Sequence, residues 1–142
     1  MVKAFFGNYP RSLDPKGRLL LPSALIGESE LDSLYILKGF DGCISVYLPD
    51  EFEELLTKLK TLNQRDPSDR VYLRMTTSSM KELKVDSHKR ILLGADTLRE
   101  YNIGNEVTVL GVLDHIEIWD RDAYNAYLLH NGAGYDNPVW RS

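Results

Sequence analysis

A chain of 142 residues, 43% hydrophobic and 27% charged, is long enough to bury a core without disulfide or metal staples. Its single cysteine, Cys43, excludes an intramolecular disulfide. No apolar run is long enough for a membrane helix, and the opening at Phe5-Phe6 is too short for a signal peptide, so a cytoplasmic protein is expected. A net charge of −4 argues against a polyanionic partner for the chain taken as a whole.

The charge is nevertheless segregated. Residues 1–18 hold Lys3, Arg11, Lys16 and Arg18 against Asp14 alone, and residues 80–90 hold Lys81, Lys84, Lys89 and Arg90 against Glu82 and Asp86. Between them, residues 28–56 carry Glu28, Glu30, Asp32, Asp41, Asp50, Glu51, Glu53 and Glu54, with Lys38 the one cation. Two basic islands can act on one ligand only if the fold brings them together.

In chain order, Arg18-Leu19-Leu20-Leu21 is a short apolar run of the kind that forms a buried strand, and Pro22 ends it before a brief helix at 23–26. Tyr35-Ile36-Leu37 and Ile44-Ser45-Val46-Tyr47 flank Gly39-Phe40-Asp41-Gly42 and read as a hairpin. Phe52, Leu55, Leu56, Leu59 and Leu62 recur at helical spacing among charged residues. Asp66-Pro67-Ser68-Asp69 starts a further helix with Val71, Tyr72 and Met75 as its apolar side, and residues 76–85, rich in Thr and Ser, read as an extended strand. Arg90-Ile91-Leu92-Leu93 then forms a second short strand, and 107–110 with 116–119 a second hairpin around Gly111 to Asp114. Asp120 is the expected N-cap of a last helix bearing Tyr124, Tyr127 and Leu128.

The second series repeats the first. Asp14 and Asp86 stand 72 positions apart, as do Arg18 and Arg90, Leu20-Leu21 and Leu92-Leu93, Ile44 and Ile116, Asp50 and Asp122, and Leu56 and Leu128. The same offset pairs Leu37 with Val109 and Gly39 with Gly111, so an ungapped register over residues 13–56 is expected. Two repeats are too few for a solenoid, and a pseudo-twofold pair is the natural geometry. No flexible linker separates them. The expectation is one compact domain over 1–142: a first half at 5–62, a connecting helix at 63–75, a second half at 76–130 and a frayed tail at 131–142.

The sharpest local feature is Ser12-Leu13-Asp14-Pro15-Lys16-Gly17-Arg18, a strong turn signal with an Asp and an Arg four residues apart. One reading is a carboxylate–guanidinium staple across the turn. The other is a rigid turn that presents Lys16 and Arg18 to an anion. The second copy, Asp86-Ser87-His88-Lys89-Arg90, keeps the Asp and Arg, loses Pro15 and Gly17, and gains positive charge, which a pure staple does not need. If a pseudo-dyad sets the two turns side by side, arginine can contact guanine edges in a major groove while lysine holds phosphate.

The start at Phe5-Phe6-Gly7, the run Ser12 to Leu19, Arg70 with Arg74, and the stretch Val107-Thr108-Val109-Leu110-Gly111-Val112-Leu113-Asp114-His115-Ile116-Glu117-Ile118-Trp119 together resemble the MraZ family of the AbrB-like, swapped-hairpin superfamily. The likeness spans about residues 5–130. It implies an α+β, β-rich fold in which two swapped-hairpin halves form one compact barrel with flanking helices. It also implies a transcriptional regulator that binds repeated operator boxes in double-stranded DNA, upstream of bacterial division and cell-wall genes. The regulator would work as a homo-oligomeric ring, in the cytoplasm and on the nucleoid. Matched position by position, the DNA-binding residues would be Asp14, Lys16, Gly17 and Arg18 in the first motif and Asp86 and Arg90 in the second. Arg11, His88 and Lys89 join them on charge and position, and Lys89 stands where the family has glycine.

Other function classes fit less well. His88, His115 and His130 are scattered without metal-ligand spacing, and the Gly39 and Gly132 neighbourhoods lack the strand-to-helix context of a phosphate loop. No enzyme, cofactor, metal site, small-molecule substrate or membrane partner is therefore expected. An antitoxin-like or purely structural oligomer of the same fold is the remaining alternative.

Overall fold

The computed structural model describes residues 3–27 and 30–136. Its elements repeat as the sequence does. In the first half, β1 (Phe5–Ser12), β2 (Arg18–Leu20), α1 (Ser23–Ile26), β3 (Ser33–Lys38), β4 (Ile44–Tyr47) and α2 (Pro49–Leu59) follow one another. The second half gives β5 (Lys81–Lys84), β6 (Arg90–Leu92), α4 (Ala95–Glu100), β7 (Glu106–Leu113), β8 (His115–Asp120) and α5 (Arg121–Asn131). The helix α3 (Pro67–Ser79) joins them and has no counterpart among the described residues.

The strands form one antiparallel six-stranded sheet, ordered β1-β7-β8-β4-β3-β5, and a separate two-stranded ribbon, β2-β6. The halves are swapped. The first strand of each half pairs with the hairpin of the other, β1 with β7 and β5 with β3. At the sheet's centre Ser45 lies opposite Glu117, and in the ribbon Leu19 lies opposite Ile91; both are pairs of repeat equivalents. One pseudo-dyad therefore passes through both pairings. Among the described residues no strand pairing joins β1 to β5, and the ribbon instead closes over the core that the sheet's inner face supplies.

That core belongs to neither half alone. Leu19, Leu21, Leu34, Ile36, Ile44 and Val46 from the first half pack with Ile91, Leu93, Val107, Val109, Ile116 and Ile118 from the second. Burying a side chain of this kind is worth about 1.5–3 kcal/mol, so each half would expose a large apolar face without the other.

Three expectations are corrected here. The repeat register is not ungapped: β3 and β7 superpose at an offset of 73, because Ile36 and Val109 are the residues opposite Val46 and Ile118 in the two hairpins. Alternate strand residues face opposite sides, so burial decides the alignment. The inward residues are Leu34 and Ile36 in one strand and Val107 and Val109 in the other, so Leu37 is not the equivalent of Val109. Second, residues 76–79 are helical, not extended. Their hydroxyls bond back into the helix, Thr77 to the Leu73 carbonyl at 2.7 Å and Ser79 to the Thr76 carbonyl at 2.7 Å. The Lys38 N–H donates to Ser79 Oγ at 2.9 Å, tying the helix end to β3, and Thr76 is buried. The strand begins only at Lys81. Third, Gly111 is not in the hairpin turn. It lies inside β7, directly opposite Gly7 of β1.

The expected N-cap is found. Asp120 caps α5, its Oδ2 accepting from the Ala123 N–H at 3.1 Å. His115 opens β8 as a structural residue: Nδ1 faces Asp114 Oδ1 at 2.7 Å and Nε2 faces Glu117 Oε2 at 3.0 Å, and the ring stacks on Tyr47. Burial alone would depress its pKa, but the two carboxylates outweigh burial and raise it. Cys43 is buried, which pushes its thiol up to about 12 and leaves it unreactive. The chain's end, expected to fray, winds into a 3-10 segment at Gly132–Asp136, and residues 137–142 lie outside the described part.

The close passage of β1 and β7 makes a test. A Cβ built on Gly111 would sit 2.3 Å from the Phe6 nitrogen and 2.6 Å from the Phe5 carbonyl carbon, and backbone cannot rotate away. Gly111→Ala is expected to destabilise by about 1–3 kcal/mol or more, read from the urea midpoint. Gly132→Ala meets nothing within 4 Å and serves as the control. Equal midpoints for the two variants would contradict this account of the strand crossing.

Candidate nucleic-acid interface

The two basic turns are one structure made twice. In the first, Asp14 Oδ1 accepts from the N–H groups of Lys16 at 3.0 Å and Arg18 at 2.8 Å, and Oδ2 accepts from Arg18 Nε at 2.5 Å. In the second, Asp86 Oδ1 accepts from the N–H groups of His88 and Arg90, each at 2.9 Å, and Oδ2 accepts from Arg90 Nε at 2.9 Å. The backbone closes both alike: the Gly17 N–H donates to the Asp14 carbonyl at 2.9 Å, and the Lys89 N–H to the Asp86 carbonyl at 3.0 Å. The aspartate, more than Pro15 or Gly17, sets the shape. It collects two backbone donors and one guanidinium nitrogen, and only one loop conformation delivers all three.

Gly17 adopts a φ of 78°, and Lys89 adopts 63° in the same place. The substitution of lysine for glycine therefore leaves the turn unchanged and puts a long cation at its tip. The cost is a residue held in the left-handed region.

The ribbon then brings the turns together. Arg18 pairs with Leu92 and Leu20 with Arg90. Across the ends, the Leu21 N–H donates to the Lys89 carbonyl at 2.9 Å and the Leu93 N–H to the Gly17 carbonyl at 3.1 Å. Arg90 Nη1 approaches Asp14 Oδ2 at 3.9 Å, so the first carboxylate also touches the second arginine. Both arginine side chains stay partly exposed, at 31% and 29%. An arginine held through Nε still owns two Nη groups, the pair that a bidentate contact with guanine or phosphate uses.

Of the residues singled out in the sequence, Asp14, Lys16, Gly17, Arg18, Asp86, His88, Lys89 and Arg90 thus lie on two adjoining turns. Arg11 joins them differently from its place in the sequence. It lines a cleft of about 470 Å³ with Leu20, Leu21, Ser23, Ile26, Gly27, His88 and Lys89, which sets it beside the second turn. One residue was not legible beforehand. Arg121, first in α5, donates from Nη2 to the carbonyls of Arg11 at 2.9 Å and Val107 at 3.0 Å, and from Nη1 to Glu106 at 2.8 Å. It anchors the strand that runs into the first turn. Its partners are distant in the chain, so no local pattern announces it. Arg70 is placed away from the turns, where it donates to the carbonyls of Gln64 and Arg65.

The electrostatics follow. Asp14 is held below the usual aspartate value, first by the Arg18 N–H, against some burial, and then by the Arg18 guanidinium and the Lys16 N–H. Asp86 is lowered in the same way by the Arg90 N–H, with the His88 N–H and the Arg90 guanidinium adding to it against some burial. Each aspartate offsets one arginine charge, so the excess positive charge of the surface comes from Lys16, Lys89 and Arg11.

Swapped hairpins around a pseudo-dyad, with a duplicated Asp–Arg turn at its outer end, define a pseudo-dimeric swapped-hairpin protein with a cationic ribbon. A family model described as "MraZ protein, putative antitoxin-like" matches residues 4–75 and 78–138, one match for each half. The "Transcriptional regulator MraZ" of Mycoplasmoides gallisepticum (strain R(low / passage 15 / clone 2)) is 36% identical over 132 residues, covering 93% of this chain and 90% of that protein. The chain belongs to the MraZ family.

Two outcomes test the turn. Lys89→Gly removes the left-handed strain and is expected to stabilise the protein by about 1 kcal/mol in urea unfolding, where Gly17→Ala at the equivalent site destabilises it. Acid provides the second. Both aspartates titrate below 3.8, so their stabilisation is complete above that pH and is lost as pH falls through the folded-state values. The double variant Asp14→Asn, Asp86→Asn is expected to be less stable at neutral pH and to have a flatter acid limb. Parallel curves of urea midpoint against pH would refute the assignment.

Proposed function

We propose that this protein is a transcriptional regulator that binds double-stranded DNA in a sequence-specific way through the β2–β6 ribbon. The carrying observation is the pairing that sets two identical Asp–Arg turns against each other on one exposed surface. The relative named a transcriptional regulator supports this reading. Arg18 and Arg90 contact base edges and are oriented by Asp14 and Asp86. Lys16, Lys89, His88 and Arg11 hold phosphate, and Gly17 lets the backbone approach. The two halves act as one folding unit, because neither has a core of its own. No catalytic step is assigned.

The finer reading is a homo-oligomeric ring on repeated operator boxes upstream of division and cell-wall genes, in the cytoplasm and on the nucleoid. Charge argues for assembly: a subunit with a net charge of −4 and one small cationic surface binds DNA weakly, and several linked subunits multiply that weak contact. Exposed apolar side chains away from the ribbon support it too. Phe40 is 71% exposed, Val71 54%, Met75 52% and Leu129 85%, and a subunit contact would cover such residues.

The test is fluorescence anisotropy on the promoter region upstream of the source organism's division and cell-wall genes, at two salt concentrations, with fragments carrying one box or several. Wild type is expected to bind selectively and more weakly in higher salt, and better with several boxes than with one. Arg18→Ala is expected to lose about 5- to 150-fold in affinity, the equivalent of about 1–3 kcal/mol for a bidentate base contact, with its oligomeric state unchanged. Salt-insensitive or unselective binding by the wild type would sink the DNA reading. Equal affinity for one box and several would sink the role given to assembly.

A further inference from the structure

The solvent face of the ribbon carries more than charge. Strand alternation puts Leu19 and Ile91 in the core, fully buried, and turns Arg18 with Leu20, and Arg90 with Leu92, to the outside. The register sets Arg18 directly beside Leu92 and Leu20 directly beside Arg90. The outer face is therefore a two-by-two checker of guanidinium and isobutyl groups, symmetric about the pseudo-dyad. Leu20 is 50% exposed and Leu92 54%. Neither is needed to hold the ribbon, whose inner face already buries Leu19, Leu21, Ile91 and Leu93. A surface built for phosphate alone has no use for two leucines at its centre.

We infer that Leu20 and Leu92 are specificity-determining residues that pack on the C5-methyl groups of thymines, each next to the base contacted by the arginine opposite. This rests on the reading of the ribbon as a DNA-binding face. Charge complementarity selects the occupant. The leucines are framed by Arg18, Arg90 and the tips of two lysine-bearing turns, on a chain that is otherwise acidic. A polyanion with apolar groups exposed in a groove fits that frame, and duplex DNA has them only as thymine methyls. The geometry agrees. A two-stranded ribbon enters a major groove, and directly opposed residues have Cβ atoms about 4.5–5.5 Å apart, close enough to reach the same or neighbouring base pairs. Each half then reads a methyl and an adjacent guanine edge, and the dyad makes the two readings an inverted pair.

The experiment uses the full chain and a duplex enriched by the wild type from a randomised library, remade with each thymine in turn replaced by deoxyuridine, which lacks only the methyl. At one thymine in each half-site, deoxyuridine is expected to weaken wild-type binding about fourfold, the scale of one buried methyl. Leu20→Ala and Leu92→Ala are each expected to lose affinity on the thymine duplex and to become indifferent to the substitution at one of those sites, so that the two changes are not additive. Deoxyuridine effects that persist unchanged in both variants, or variants that bind as wild type, overturn the proposal. So does a change of oligomeric state in either variant, because the leucines would then belong to a contact between copies. If Arg18→Ala loses binding while both leucine variants keep it, the DNA face stands and thymine readout fails. If the library yields no enriched duplex, both fall together.

Discussion

The antiparallel pairing of β2 with β6 is the constraint on which the rest depends. Each strand has three residues, too few to be stable alone, and each is held by its equivalent in the other half. The pairing buries Leu19 against Ile91 at the pseudo-dyad and, in the same act, turns two arginines outward from adjacent strands. Core formation and site formation are the same event. A half that folded without its partner would have neither the buried apolar face nor the second basic turn.

The second requirement is electrostatic. The chain is acidic, yet its ribbon is ringed by cations. Segregation reconciles the two, and the aspartates of the turns show how. Asp14 and Asp86 are spent on organising their loops, accepting two backbone N–H groups and one guanidinium nitrogen each. They hold the arginines in place and damp part of their charge. The lysines at the tips, and Arg11 from β1, restore the positive balance. Lys89 makes the trade explicit: it accepts a left-handed backbone to put a cation where the first copy has glycine.

Much of this was legible in the sequence where the information is local. The Asp–x–x–x–Arg spacing, the first turn and the N-cap at Asp120 all rest on contacts within a few residues, and the structure reproduces them; the repeat at an offset of 72 holds for the ribbon, β4 and β8. The readings that failed depended on distant neighbours. The offset of β3 and β7 slipped to 73 because the choice between Leu37 and Ile36 as the inward residue is made by the opposing strand. Residues 76–79 read as extended because the β-branched Thr favours strands, but a helix whose end docks on β3 recruits the Thr and Ser hydroxyls instead. Gly111 looked like a turn glycine. Its small size serves the crossing with β1 from the far end of the chain.

The sequence by itself determined the two halves, the Asp–Arg spacing and turn signal of the first basic turn, and the character of the residues on both turns, since short-range hydrogen bonding and alternation suffice for these; that the second turn keeps the same shape without Pro15 and Gly17 is seen only in the structure. Only the tertiary structure decided that the halves exchange strands, that the two turns meet at a dyad, that Arg121 reaches across to hold β1, and that Arg11 shares a cleft with residues of the second turn. Those outcomes depend on which apolar faces find each other. That selection is made by burial summed over both halves, and no window of neighbouring residues contains it.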